Sequence, residues 1–152
     1  MTPEEFIIHL SQFPEKIREE FEAVKEPIAK VAIDHFTENF EKEGFVNSTL
    51  EPWQEVKRRM DPRVKGARAT RKILIGDTGN LKRSIDKEFV PEGILIYSDT
   101  PYASAHNEGT DNAGRGHSTH IPKRQFIGDS KELDEKVKVI IETRFDKLFN
   151  NL

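Results

Sequence analysis

The residues best suited to chemistry lie in the second half of the chain. His106, His117 and His120 sit close together. A metal centre needs imidazoles or carboxylates converging from a fixed frame, and zinc sites commonly add cysteine. His117 and His120 lie in or beside a Gly-rich stretch without helical spacing, and the chain has no cysteine. No metal ligand is assigned, and His106 reads as a hydrogen-bonded residue on a short helix. Ser84, Ser104 and Ser118 lack the Gly-x-Ser-x-Gly elbow that presents a nucleophile. Gly114-Arg115-Gly116-His117 lacks the Gly-Lys-Ser/Thr ending of a phosphate loop. The many carboxylates read as solvated helix surface. No catalytic residue is therefore assigned, no cofactor is expected, and the chain reads as a non-enzyme.

The strongest charged feature is a basic stretch: Lys57, Arg58, Arg59, Arg63, Lys65, Arg68, Arg71 and Lys72, against Asp61 alone. Residues 56–72 carry a net +7, residues 1–55 a net −8 and residues 73–152 a net −2. Clustered Lys and Arg suit phosphate neutralisation on DNA. They equally suit docking on an acidic protein surface. Aromatic residues do not interleave with them, and only Trp53 is near, so stacking on single-stranded bases is not expected. The acidic N-terminal segment of an identical subunit offers a matching surface, and this favours the protein contact. DNA binding through 57–72 is the alternative. Reversing Arg58, Arg59 and Arg63 to Glu is expected to block assembly and leave the monomer folded. Trp53 is read as a core plug under the helices.

These residues need a scaffold. A chain of 152 residues is one ordinary domain, 1–152. Hydrophobic residues make up 35% and charged residues 34%, with 10 Phe against one Trp and two Tyr; such a core leans on few aromatics and leaves apolar surface for neighbours. Lack of cysteine agrees with assembly in a reducing cytoplasm. Met1 to Leu10 lacks the basic start of a signal peptide, and no apolar run approaches the ~18 residues of a membrane span.

Residues 2–43 read as helical. Phe6, Leu10, Phe13, Ile17, Phe21, Val24, Ile28, Ala32, Phe36 and Phe40 trace one face in steps of three and four. Thr2-Pro3-Glu4-Glu5 suits a capped start. A break is expected before Pro14, a kink or short break near Pro27, and a C-terminal stop at Gly44. Residues 45–72 lack periodicity and read as a long basic loop. The small α/β core is placed at 73–128. It holds a short strand at Lys72–Ile75, a helix capped by Asp77 or Thr78, and a hairpin around Pro91-Glu92-Gly93. A helix from Pro101 capped by Thr100, a mobile loop from Gly109 to Thr119 and one more strand or extended segment from His120 to Ile127 follow. An amphipathic helix at 130–149 closes the chain, with Asp129-x-x-Glu132 as a capping box and Leu133, Val137, Ile140, Ile141, Phe145, Leu148 and Phe149 as its stripe. The class is α+β, with a small, mostly antiparallel sheet.

Four short stretches carry a resemblance. They are Pro52-Trp53; Ile73 to Ile85, which includes Asp77, Thr78, Gly79, Leu81 and Ser84; Pro101 to Gly109, which includes Tyr102, His106 and Gly109; and Ile121 to Gly128, which includes Pro122, Arg124 and Phe126. In this order they resemble the phage virion morphogenesis family, the group of Mu-type and tail-completion proteins. The resemblance implies a structural subunit, forming an oligomeric ring at the head–tail junction or tail top of a virion assembled in the host cytoplasm. Its partners would be other copies of itself and neighbouring neck, portal-adaptor or tail proteins, with transiting genomic DNA as a further contact. No membrane contact is expected. Tyr102 is expected to place its ring on the core.

Overall fold

The computed structural model describes residues 15–151. The expected start at Thr2-Pro3-Glu4-Glu5, the apolar positions Phe6, Leu10 and Phe13, and the break before Pro14 lie outside the described residues.

Helix α1 runs from Glu15 to Lys42. Of the expected stripe, Val24, Ala32, Phe36 and Phe40 are buried along it and Ile17, Phe21 and Ile28 are half-buried, while Ala29, outside that stripe, is buried as well. It continues through Pro27. Proline removes one backbone donor, but Val24 and Ala29 are buried on either side, and that packing carries the helix across. The left-handed residue at its end is Glu43 (φ 52°), not Gly44. Gly44 opens strand β1 (Gly44–Val46), which pairs antiparallel with β2 (Leu50–Pro52). It is needed for another reason: a Cβ there would lie 2.7 Å from the Glu51 carbonyl oxygen.

Residues 45–72 are thus not one structureless loop. After the β1–β2 hairpin come two single-turn helices, α2 (Lys57–Met60) and α3 (Ala67–Thr70). Lys72–Ile75 does not form a strand: turns run from Ile73 to Thr78, with Ile73 buried and Leu74 at φ 62°. Helix α4 (Asn80–Arg83) starts from Gly79 in the left-handed conformation. The Thr78 hydroxyl accepts the Asn80 N–H at 3.2 Å, while Asp77 turns away to pair with Arg71.

Strands β3 (Ile85–Val90) and β4 (Gly93–Ser98) form the expected hairpin, with Val90 paired to Gly93 across Pro91-Glu92. Helix α5 (Ala103–Glu108) begins after Tyr102. The Thr100 hydroxyl bonds Ser98 instead of capping α5, and only its carbonyl receives the Ala103 N–H. The stretch expected as a mobile loop, Gly109 to Thr119, folds into a third hairpin of β5 (Thr110–Ala113) and β6 (Thr119–Ile121). Helix α6 (Lys131–Asn150) is capped by Ser130, whose Oγ accepts the Leu133 N–H at 3.2 Å, so the Asp129 box does not form. The class is α+β. The strands form three separate antiparallel pairs instead of one sheet.

Helix α1 is the spine. The β3–β4 hairpin and α6 pack on it. Lys25 donates to the Val90 carbonyl, Lys87 pairs with Glu26, and the Phe21 and Phe145 rings lie 4.9 Å apart. Near the C-terminal end of α1, Phe36, Phe40, Phe45, Trp53, Ile73 and Phe126 form the core. Phe149, expected in the α6 stripe, is instead exposed.

A polar lock ties α6 to α1. His35 is 3% exposed. Its Nε2 lies 3.1 Å from the Val46 carbonyl and 3.0 Å from Ser130 Oγ. Lys136 Nζ approaches its Nδ1 at 3.3 Å, with the Glu132 carboxylate, itself paired to Lys136, at 3.4 Å from the same nitrogen. This suits a neutral ring that donates from Nε2 and accepts at Nδ1. Burial, the main cause, pushes the His35 pKa below its ordinary 6.5. The unfolded chain then binds a proton that the folded chain resists. Stability is full above pH ~6.5 and falls as the solution is acidified below it. Thermal melts between pH 7 and about 5 should show Tm falling with pH, and His35→Gln should make that slope shallower.

Candidate functional site

The fold brings the motif stretches into one junction. Trp53 is buried, its ring nearly perpendicular to that of Phe40, and its Nε1–H donates to the Gln125 carbonyl at 2.7 Å. Arg124 donates from Nε to the Gln54 carbonyl at 3.0 Å, and its backbone N–H donates to the His106 carbonyl at 2.8 Å. Asn107 Oδ1 accepts the N–H groups of Phe126 and Ile127 at 2.9 and 3.0 Å, and its Nδ2 donates to the Ile127 carbonyl. Asn39, fully buried on α1, donates to the Phe126 carbonyl at 3.0 Å and accepts the Val46 N–H at 3.1 Å. Leu81, Ile85 and Phe126 enter the core, and Pro122 is half-buried.

Other motif residues also serve the scaffold. Ser84 Oγ lies 2.6 Å from the Leu81 carbonyl and 2.6 Å from Ser98 Oγ, fastening α4 to β4. Tyr102 departs from expectation: the residue is 42% exposed, and its hydroxyl accepts from Asn80 Nδ2 at 2.9 Å. Because α5 starts one residue later, Ala103 takes the inward position. Gly109 has φ 76°, and a Cβ there would lie 2.8 Å from the Lys123 backbone nitrogen. Neither strain nor clash is relieved by a rotamer change. Gly109→Ala should cost about 2–4 kcal/mol, read as a lower urea midpoint.

The basic stretch is largely turned inward. Arg58 donates to the carbonyls of Arg68, Arg71 and Lys72 at 2.7, 2.6 and 3.0 Å. Arg59 pairs with Glu43 at 2.8 Å and also reaches the Arg71 carbonyl. The Arg59 hydrogen bond holds the Glu43 carboxyl below its usual range. Arg71 pairs with Asp77 at 2.5 Å, and Lys72 donates to the Glu41 carbonyl at 2.6 Å. These contacts pull α2 and α3 onto the end of α1 and explain why the segment is folded. Lys57, Arg63, Lys65 and Arg68 stay exposed, and Arg63 pairs with neighbouring Asp61 at 2.9 Å. The surface open to a partner is narrower than the eight charges suggest.

Between the basic segment and helices α4 and α5 lies an open cleft of about 570 Å³. Ile73, Ile75 and Leu81 give it apolar walls, and Arg58, Arg68 and Arg124 bring positive charge. His106 also lines it, and its Nδ1 is buried without a hydrogen-bond partner. Burial, and secondarily the Arg124 charge, lowers the His106 pKa, so the ring is neutral near pH 7. His120 pairs with Asp111 at 2.5 Å on the third hairpin, away from this role. Among the described residues no group of three or more His, Cys, Asp or Glu is placed to hold a metal ion.

Sequence reasoning found the motif stretches but missed their fasteners. Asn39 sits inside an apolar helix stripe, where a polar residue reads as an exception. Asn107 lies inside a recognised stretch, but its three bonds depend on chain crossings that sequence spacing does not reveal. Among the described residues, no helix is long and apolar enough to cross a membrane.

Neither the curated proteins nor the solved structures contain a match to this chain. The model of the phage virion morphogenesis family matches residues 9–146, which takes in the junction, the cleft, α1 and most of α6. The chain belongs to the phage virion morphogenesis family, and its role is a structural one in building the phage virion.

Proposed function

We propose that the chain is a tail-completion or head–tail connector subunit that works as an oligomeric ring at the head–tail junction. Family membership supports the assembly role. The observation that carries the finer reading is the polarity of the molecule. The exposed cations Lys57, Arg63, Lys65 and Arg68 sit on a body fastened to the C-terminal end of α1 through Arg59–Glu43 and Lys72–Glu41. The opposite end of the same helix exposes Glu15, Glu19 and Glu22 beside the cations Lys16 and Arg18, with Glu22 paired to Lys25. A basic body at one end and exposed carboxylates at the other favour one head-to-tail register between neighbours. Partners in this reading are other copies of the chain and the neighbouring neck, portal-adaptor or tail proteins. The subunit is non-enzymatic: its motif residues fasten backbone segments to one another.

Complementation tests the reading. In a lysate of the parent phage with this gene disrupted, heads and tails should accumulate unjoined or tails unfinished, and adding the purified chain should restore infectious particles. Complete, infectious virions formed without the chain contradict it.

A further inference from the structure

Arg124 is the least expected residue of the cleft. It is 8% exposed, yet it meets only the backbone carbonyls of Gln54 and Glu55, at 3.0 and 3.5 Å. Arg58 is also bound to carbonyls alone. Arg68 is exposed at the same cleft and has no ion-pair partner among the described residues. The one carboxylate of the lining, Asp77, is taken by Arg71. Glu55 acts on Arg124, and Glu43 and Glu55 on Arg58, from outside the cleft, but neither arginine is in an ion pair among the described residues; buried charges are ordinarily paired, so the cleft itself presents unpaired positive charge. His106 Nδ1 adds an unfilled polar position. The apolar walls suit the methylene stem of a long acidic side chain, such as glutamate.

The chain carries a matching group. Glu15 and Glu19 are exposed, four residues apart on one face of α1 with the exposed cations Lys16 and Arg18 beside them, and have no ion-pair partner among the described residues. They cannot reach the cleft of their own subunit. The basic segment is tied to Glu41 and Glu43 at the other end of α1. Glu19 and Glu41 are separated by roughly 33 Å of helix at ~1.5 Å per residue. A contact between these two regions therefore joins different copies. It is heterologous, and a heterologous contact that closes makes a ring.

We propose that the cleft lined by Arg58, Arg68 and Arg124 is the socket for the Glu15–Glu19 face of α1 from a second copy of the chain. This rests on the ring reading above and names its subunit contact.

Charge exchange in the full chain tests it, with association followed by sedimentation, of the chain alone and on purified tails. Arg68 is the residue to reverse, because its side chain makes no hydrogen bond among the described residues, whereas Arg58 and Arg124 hold the fold. Arg68→Glu should weaken association at least ~10-fold, and Glu15→Lys with Glu19→Lys should do the same. The combined variant should recover to within about 3-fold of wild type, the mark of a direct contact. Circular dichroism melts superimposed on wild type establish that each variant is folded. Rings that form as tightly with Arg68→Glu as without it overturn the socket and leave the ring reading intact. Weakening by Arg68→Glu that the α1 reversal does not repair overturns α1 as the occupant. If the same loss is accompanied by salt-sensitive binding of a 20-base-pair duplex, the cleft serves phosphate instead. A wild-type chain that stays monomeric alone and on tails overturns the reading beneath.

Discussion

Phe40→Ala should lower the unfolding free energy by about 3–5 kcal/mol, the usual cost of emptying a large aromatic site. Phe40 is completely buried. Its ring centroid is 5.6 Å from Trp53 and 5.2 Å from Phe126, so it joins the helix to the first and last motif stretches at once. Trp53 is held by its bond to Gln125, and Phe126 by backbone bonds to Asn107. Neither ring can move freely to fill the space, which puts the cost toward the upper part of that range. For a domain of this size, the drop corresponds to a Tm change on the order of 10 °C. Urea unfolding is the check: the midpoint should fall with the slope unchanged. A midpoint within a few tenths molar of wild type would mean that this aromatic cluster is not the core.

Asn39→Ala should cost about 3 kcal/mol. The side chain satisfies two buried backbone groups, the Val46 N–H and the Phe126 carbonyl. Each buried group left unpaired costs ~1–3 kcal/mol. Asn39→Asp separates the two halves of the interaction. A carboxylate retains the acceptor facing Val46 but sets a negative charge against the Phe126 carbonyl oxygen. It should therefore be at least as damaging as alanine at neutral pH and should recover in part on acidification, as the carboxyl gains a proton and becomes a donor. Melts of both variants at two pH values measure this directly.

How far the fold was legible follows from particular residues. The stripe from Val24 to Phe40, the turn at Pro91-Glu92 and the closing helix follow from periodicity and turn chemistry. Strands β1, β2, β5 and β6 are three or four residues long, too short to show alternation, so β1, β2 and β5 read as loops and β6 only as the start of a strand or extended segment from His120. Gly44 looked like a helix stop because glycine commonly ends helices. Its actual constraint, the close approach of Glu51, is a tertiary one. Ser130 displaced Asp129 as the cap because its hydroxyl also bonds the Val46 carbonyl at 2.7 Å, joining α6 to β1.

The candidate site shows the same division. Counting charges located the basic segment but said nothing of where each guanidinium points. Reversing Arg58, Arg59 and Arg63 together looked like a clean assembly test. In the structure Arg58 and Arg59 clasp the backbone of their own segment. Their reversal would loosen α2 and α3 and confuse unfolding with failed assembly. The exposed positions Lys57, Lys65 and Arg68 are the ones whose reversal reports on partners.

The central claim, a subunit that assembles in rings at the head–tail junction, meets its most direct test in the mass of the purified full chain by light scattering, alone and mixed with purified tails or heads. The account predicts either a discrete multiple of the 17.5 kDa subunit in the free protein or a monomer that joins those particles in a fixed ratio. A monomer that ignores both particles and binds duplex DNA instead would contradict it.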